Sequence, residues 1–346
     1  MALPLGLLIF SFIITSLLIV PFIDTLYRLK FTRRREAPRD KRRISIFDRM
    51  HDWKAGTPVG GGILIIGVIS ILFFALFPLL SYMGVYVTTA YPLYDELRII
   101  FLAFVGFGLL GLYDDLTKFF GKPTPGQLGL TFGLNRRWKF FLQWVLAFLL
   151  GALLFKTLGI SIVHIPVFSL VINLSWAYIL FAALVIVAFC NAFNITDGLD
   201  GLATGLLVIC LFSFWVIAGA ALDTPLTILI ALWLGSLFAF LYFNVWPARI
   251  FLGDAGALSF GATLAVIGLL TGKTIALVVI GGIFVAEVLS SLIQIIWWKV
   301  YKRPLFAIAP LHLLLQSKGW EEPKIVMRAW LVGAMLAIFG LWLAII

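Results

Sequence analysis

The chain has 346 residues, of which 62% are apolar and 12% charged, with a mean hydropathy of +1.10. Soluble domains hold about 45–50% apolar and about 25% charged residues, so this composition excludes one and marks an integral membrane protein. The net charge of +10 implies an anionic partner only where the charges cluster.

About 20 apolar residues cross a bilayer. The hydropathy pattern predicts ten spanning helices, near 3–23, 59–82, 97–113, 138–158, 174–191, 202–222, 226–243, 256–271, 274–299 and 325–345. The first has no basic n-region and no small-residue cleavage site, and reads as a retained helix rather than a signal peptide. Threaded alternately, the chain leaves only Arg98, Lys156 and Lys273, of its 26 Lys and Arg, on one side. The basic side is then cytoplasmic and both termini lie outside. Adding or removing one helix destroys that asymmetry. No useful repeat and no low-complexity linker interrupts the sequence. Residues 1–346 read as a single all-α polytopic membrane domain of about ten helices, with its chemistry at the cytoplasmic face.

After helix 1 comes the densest positive run: Arg33-Arg-Arg35, Arg39, Lys41-Arg-Arg43 and Arg49. A topology signal that also attracts anionic membrane lipids accounts for it, so no nucleic acid is needed. His51-Asp-Trp-Lys54-Ala-Gly-Thr57-Pro58 then opens helix 2. Pro suits a helix start, and the following glycines suit tight helix packing. Lys54 and Thr57 are alternatively placed to hold a phosphate or a base.

Helix 3 ends in Tyr113-Asp114-Asp115-Leu-Thr-Lys118. Adjacent carboxylates repel unless a cation stands near, and Lys118 or a divalent metal would serve. At a helix C-terminus they also oppose the macrodipole. Asn135-Arg-Arg137-Trp-Lys139 opens helix 4 with cations suited to phosphate.

Helices 5 and 6 flank Asn191-Ala-Phe-Asn-Ile-Thr-Asp-Gly-Leu-Asp-Gly201, the most polar interruption in the chain. Asn194, Asp197 and Asp200 repeat at i, i+3, i+6, which puts them roughly on one face of a helix end. Asx turns in a solvated loop would explain one such cluster. A third acid, Asp254, opens helix 8 between Gly253 and Gly256, as an N-cap or as a metal ligand. Asp114, Asp115, Asp197, Asp200 and Asp254 come from three distant loops on one side, the pattern expected of a composite site. Hard oxygen donors beside phosphates favour Mg²⁺.

Glu287 and Gln294 lie two turns apart within helix 9, and an acid at that depth is a functional candidate. His312 stands alone in an apolar stretch, where histidines are usually structural. Cys190 and Cys210 lie in or at apolar segments and imply no disulfide framework or metal site. Motifs of P-loop ATPases, serine hydrolases and zincins are missing.

These residues in this order resemble the polyprenyl-phosphate N-acetylhexosamine-1-phosphate transferases, glycosyltransferase family 4. The likeness runs through Lys54-Ala-Gly-Thr-Pro, Gly111-Leu-Tyr-Asp-Asp115 with Lys118, the 191–201 stretch, Phe243-Asn-Val-Trp-Pro-Ala248 and Phe251-Leu-Gly-Asp254. The tail Lys318-Gly-Trp-Glu-Glu-Pro-Lys-Ile-Val-Met-Arg-Ala-Trp330 is similar to the muramoyl-pentapeptide branch rather than the N-acetylglucosamine branch.

The resemblance implies a ten-helix homodimer in the bacterial inner membrane with cytoplasmic catalytic loops. Its reaction would be Mg²⁺-dependent transfer of phospho-MurNAc-pentapeptide from UDP-MurNAc-pentapeptide to undecaprenyl phosphate, giving lipid I and UMP in peptidoglycan synthesis. Catalytic roles would fall to Asp114, Asp115, Asp254 and His312, with Asp254 and Asp115 holding the metal. Substrate contacts would come from Lys54, Thr57, Lys118, Lys139, Asn191, Asn194, Asp197, Asp200, Asn244, Phe251 and Gln294. The chain departs from the family where three consecutive histidines are usual and only His312-Leu313-Leu314 stands. It departs again where Ala255-Gly-Ala257 follows Asp254 in place of Thr-Gly-Ser. Rival readings are a UDP-GlcNAc-dependent transferase, a secondary transporter and an inactive binding scaffold.

Overall fold

A computed structural model describes residues 2–33, 54–82, 84–120 and 135–346. The expected basic run beyond Arg33 and the His51–Asp52–Trp53 stretch lie outside the described residues. Among the described residues, ten helices are long and apolar enough to cross a membrane. In chain order they are α1 (Ala2–Arg28), α2 (Gly61–Tyr82), α3 (Leu93–Phe120), α4 (Arg136–Lys156), α5 (Ala177–Thr196), α6 (Leu202–Ala220), α7 (Thr224–Asn244), α8 (Gly253–Leu270), α10 (Gly282–Tyr301) and α12 (Glu322–Ile345). Among the described residues two shorter α-helices, α9 (Thr274–Ile280) and α11 (Leu311–Ser317), stand between the later spans. The protein is a multi-pass membrane protein. Helices suit that solvent because each satisfies its own backbone hydrogen bonds.

At the centre stands α8, buried at every residue from 255 to 270. Around it pack α2, α3 and α5, while α1, α10 and α12 present apolar side chains outward, as lipid-facing helices should. Small residues set how closely the central helices approach. A Cβ on Gly111 of α3 would lie 2.1 Å from the Asp254 carbonyl oxygen, and one on Gly62 of α2 would lie 2.3 Å from Gly256. These contacts draw the ends of α2 and α3 onto the first turn of α8.

Two helix boundaries differ from the sequence expectation. Helix 3 runs on to Phe120, so Asp114, Asp115 and Lys118 sit inside its last turns rather than after its end. It absorbs a π-helical turn at Leu102–Gly106, whose Phe104 carbonyl accepts the Ser259 hydroxyl of α8 at 2.5 Å. The helix expected over 274–299 is broken at Gly281, whose ψ of 20° leaves the helical region. A Cβ there would meet the Phe189 ring at 2.7 Å, so close packing on α5 accompanies the break.

The all-α expectation describes the spanning body. Outside it, β1 (Ile162–Ile165) and β2 (Leu170–Asn173) pair antiparallel, Ile162 opposite Asn173, in the α4–α5 connection. Hydropathy alone had left that connection as an unstructured loop.

Candidate active site

Four helices bring polar side chains to the first turn of α8. Asp114 and Lys118 come from α3, Lys139 from α4, Asn194 from α5 and Asp254 from α8 itself. Lys118 Nζ lies 2.5 Å from Asp254 Oδ2 and 2.9 Å from Asp114 Oδ2. Lys139 Nζ pairs with the same two carboxylates, at 2.9 Å from Asp114. Asn194 Nδ2 donates to the other Asp254 oxygen at 3.0 Å. The Ala255 N–H donates to Asp115 Oδ2 at 3.0 Å, so Asp115 caps the start of α8 across the helix boundary.

Exposure is graded across this cluster. Lys118 is 39% exposed and Lys139 19%, against 2% for Asp114. Asp254, at 16%, is nearly as exposed as Lys139, so both lysines and Asp254 share the open side while Asp114 lies beneath them.

Beside this cluster lies a second. Lys54 is buried, with its ammonium 2.6 Å from Asp200 Oδ1 and 2.5 Å from Glu322 Oε1. The Asp200 N–H donates to the same Glu322 oxygen at 2.6 Å, and Asp200 Oδ2 accepts from Ala248 N at 2.8 Å. Lys54, expected to touch substrate, spends its charge on these two carboxylates. Asp197 stands between the clusters. Burial, followed by the negative charges of Asp254 and Asp200, pushes its carboxyl up to about 7.

A third grouping holds His312. Its backbone N–H and Nδ1 both engage Glu287 of α10, Nδ1 at 3.0 Å from Oε2. Its Nε2 faces the polar loop, since a Cβ on Gly198 would lie 2.6 Å from it. Glu287 and Gln294 of α10 each hold part of the segment that follows that helix. Glu287 fixes His312, and Gln294 bonds Leu305 N, Phe306 N and the Phe306 carbonyl at 2.9–3.1 Å.

The remaining expected residues scaffold the same end. Asn244 is buried, accepting from Thr204 at 3.0 Å and donating to the Ile250 carbonyl at 2.9 Å, which shapes the loop into Phe251. Phe251 is clasped by backbone bonds to Pro58, Gly60 and Gly61, and Arg33 lies over its ring at 5.8 Å. The Thr57 carbonyl accepts from Arg33 N at 2.9 Å within that clasp. Asn191 donates to Gln143 and to the Val187 carbonyl.

Two participants escaped sequence reasoning. Glu322 read only as part of the tail, although an acid opening a spanning helix was a signal worth following. Gln143 read as one polar residue in an apolar helix.

The sequence profile described as glycosyl transferase family 4 matches residues 97–272. That stretch carries all three acidic motifs. The chain belongs to this family. It is 35% identical to the phospho-N-acetylmuramoyl-pentapeptide-transferase of Halalkalibacterium halodurans, over 98% of this chain and 96% of the relative. The protein of that name from a Geobacillus species is 34% identical over 98% of this chain and 97% of its own length. That from Staphylococcus epidermidis is 34% identical over 97% of this chain and 98% of its own. These full-length matches set the chain within the phospho-N-acetylmuramoyl-pentapeptide-transferase family, as a membrane-embedded transferase enzyme.

Proposed function

We propose that the protein moves phospho-MurNAc-pentapeptide from its UDP carrier onto undecaprenyl phosphate, forming lipid I and releasing UMP in peptidoglycan synthesis. The observation that carries this reading is the pair of lysines, Lys118 and Lys139, each paired to both Asp114 and Asp254. Two anionic phosphates must meet in this reaction, and two cations on movable stems are what hold them together.

The positive-inside rule places this end of the bundle in the cytoplasm and both termini outside. A water-soluble nucleotide sugar and a lipid phosphate share only that interface, in the bacterial inner membrane.

The second pKa of a phosphate monoester is near 6, so the acceptor is already largely a dianion at neutral pH. A strong base is not required; neutralising and aligning the two phosphates is the main task. Lys118 and Lys139 exchange their carboxylate partners for phosphate oxygens as substrates enter. Asp114 handles the acceptor phosphate with Asp115, and orients both lysines until then. Asp197, Asn191 and Phe251 line the nucleotide side, and the Glu287-oriented His312 faces the diphosphate across Gly198.

A magnesium ion fits the donor set. Asp114, Asp115 and Asp254, with Asp197 nearby and its carboxyl raised to about 7, face the ammonium groups of Lys118 and Lys139, since Lys54 is already matched by Asp200 and Glu322. A divalent cation would balance that excess. Among the described residues no three acidic, histidine or cysteine side chains form a complete metal cage. Mg²⁺ commonly takes one or two carboxylates and completes its shell with water and phosphate oxygens. Asp254 and Asp115 would hold it, and it would polarise the diphosphate and stabilise the departing UMP.

A secondary transporter reading needs an available acid deep in the membrane. Glu287, the deep candidate, is committed to His312.

The test is UMP release by purified protein given Mg²⁺, undecaprenyl phosphate and UDP-MurNAc-pentapeptide, with UDP-GlcNAc in parallel. Release with the muramoyl donor alone, dependent on lipid and metal, is expected. Release with UDP-GlcNAc alone moves the protein to the sister branch. Silence with both donors overturns the transferase assignment and leaves a binding scaffold.

A further inference from the structure

Gln143 lies on α4 one turn beyond Lys139, so the two side chains share a helix face. It is 1% exposed. Its Oε1 accepts from Asn191 Nδ2 at 2.8 Å, and the same Nδ2 donates to the Val187 carbonyl at 2.8 Å. Those two bonds fix both amide orientations. Flipping Asn191 would set its oxygen against the Val187 carbonyl, and flipping Gln143 would set two NH₂ groups face to face. The result is Gln143 Nε2, a buried donor with no hydrogen-bond partner among the described residues.

Buried donors without acceptors are uncommon, and each needs a reason. Here the surroundings supply one. One turn nearer the helix ends, Lys139 of α4 and Asn194 of α5 both bond Asp254. The unused donor therefore lies in the same α4–α5 seam, one turn deeper than the charged cluster. An acceptor entering beside Lys139 would meet it next.

We infer that Gln143 is a further substrate-binding residue, whose Nε2 donates to a phosphate oxygen brought into the seam alongside Lys139. The inference rests on the transferase reading above. Phosphate is the chemistry that satisfies both neighbours, because it presents an anion to Lys139 and spare acceptor oxygens to an amide. Its source is either the diphosphate of the nucleotide sugar or the monophosphate of the lipid acceptor.

Two variants of the full chain test this. Gln143→Leu removes the donor at similar volume. Gln143→Glu keeps the oxygen that Asn191 needs and replaces the donor with an acceptor that repels phosphate. Hydrogen bonds to charged groups translate into roughly a tenfold or greater change in apparent affinity. Both variants should raise KM by that factor for one phosphate substrate and leave KM for the other unchanged, while Gln143→Leu, which also takes away the acceptor of Asn191, lowers the ligand-free Tm. A change confined to undecaprenyl phosphate names the acceptor as the source, and one confined to the UDP-sugar names the diphosphate.

Wild-type KM values for both substrates overturn the inference, since a resident water would then be the partner of Nε2. So does a KM that rises equally for both substrates in step with the fall in Tm, which marks a packing role. Should the wild-type protein release no UMP, the transferase reading fails on its own. Inorganic phosphate then decides: it should raise the Tm of the wild type more than that of Gln143→Leu, and equal shifts sink the proposal.

Discussion

Lys54 and Glu322 stand 268 positions apart in the chain, yet their charged groups lie 2.5 Å apart in the interior. The pair ties the segment entering α2 to the first residue of α12, and Asp200 joins it from the polar loop. Removing one partner of a buried ion pair leaves the other uncompensated, at a cost of about 3–5 kcal/mol. Glu322→Ala should therefore lower the thermal midpoint in detergent by several degrees. A triple variant, Lys54→Met with Glu322→Leu and Asp200→Asn, should recover part of that loss. A Tm for Glu322→Ala equal to wild type would show that Asp200 alone suffices for Lys54.

Asp254 receives Lys118, Lys139 and Asn194 at once. Asp254→Asn keeps its shape and removes the charge that holds both lysines. Transfer should fall by about 100-fold or more, on the scale of losing one preorganised electrostatic contact. The Mg²⁺ concentration for half-maximal rate should rise with it. Normal turnover at normal Mg²⁺ would remove Asp254 from the proposed metal set.

Glu287 orients His312 through both its backbone N–H and Nδ1. If the histidine acts as one unit with the carboxylate, their substitutions are not additive. Glu287→Gln and His312→Ala should each cut kcat, and the double variant should be little worse than His312→Ala alone. Multiplicative losses would separate the two residues into independent roles.

Burial and the charges of Asp254 and Asp200 raise the Asp197 carboxyl to about 7. Its ordinary value is near 4. Between those values the folded protein holds a proton that the unfolded chain has released, so this group's contribution to stability falls as pH rises through that window. In EDTA, the Tm of the wild type should decline from pH 5 to pH 8 more steeply than that of Asp197→Asn. Parallel pH profiles would show that Asp197 does not carry the excess charge of the cluster.

Much of the architecture was legible before any coordinates. The ten spans follow from local runs of apolar residues, because the bilayer tests each segment separately for length and hydropathy. Even the departures were local in origin. The break at Gly281 and the extension of α3 to Phe120 shift boundaries without changing the number of crossings. Asp114, Asp115 and Asp254 were legible too, since each interrupts an apolar run on the same side of the threading.

Partnership was not legible. Nothing local says that Lys139 reaches Asp254, that Glu287 turns His312, or that Lys54 belongs to Glu322 rather than to a ligand. Hydropathy measures how apolar a helix is, not which way each residue faces. That direction is decided by close contacts between distant helices, such as Gly111 against the Asp254 carbonyl. The amino-acid sequence by itself determined how many times the chain crosses the membrane and which polar residues interrupt the crossings. The tertiary structure alone decided which charges meet, because ion pairs form between side chains that helix packing brings within reach, whatever their separation along the chain.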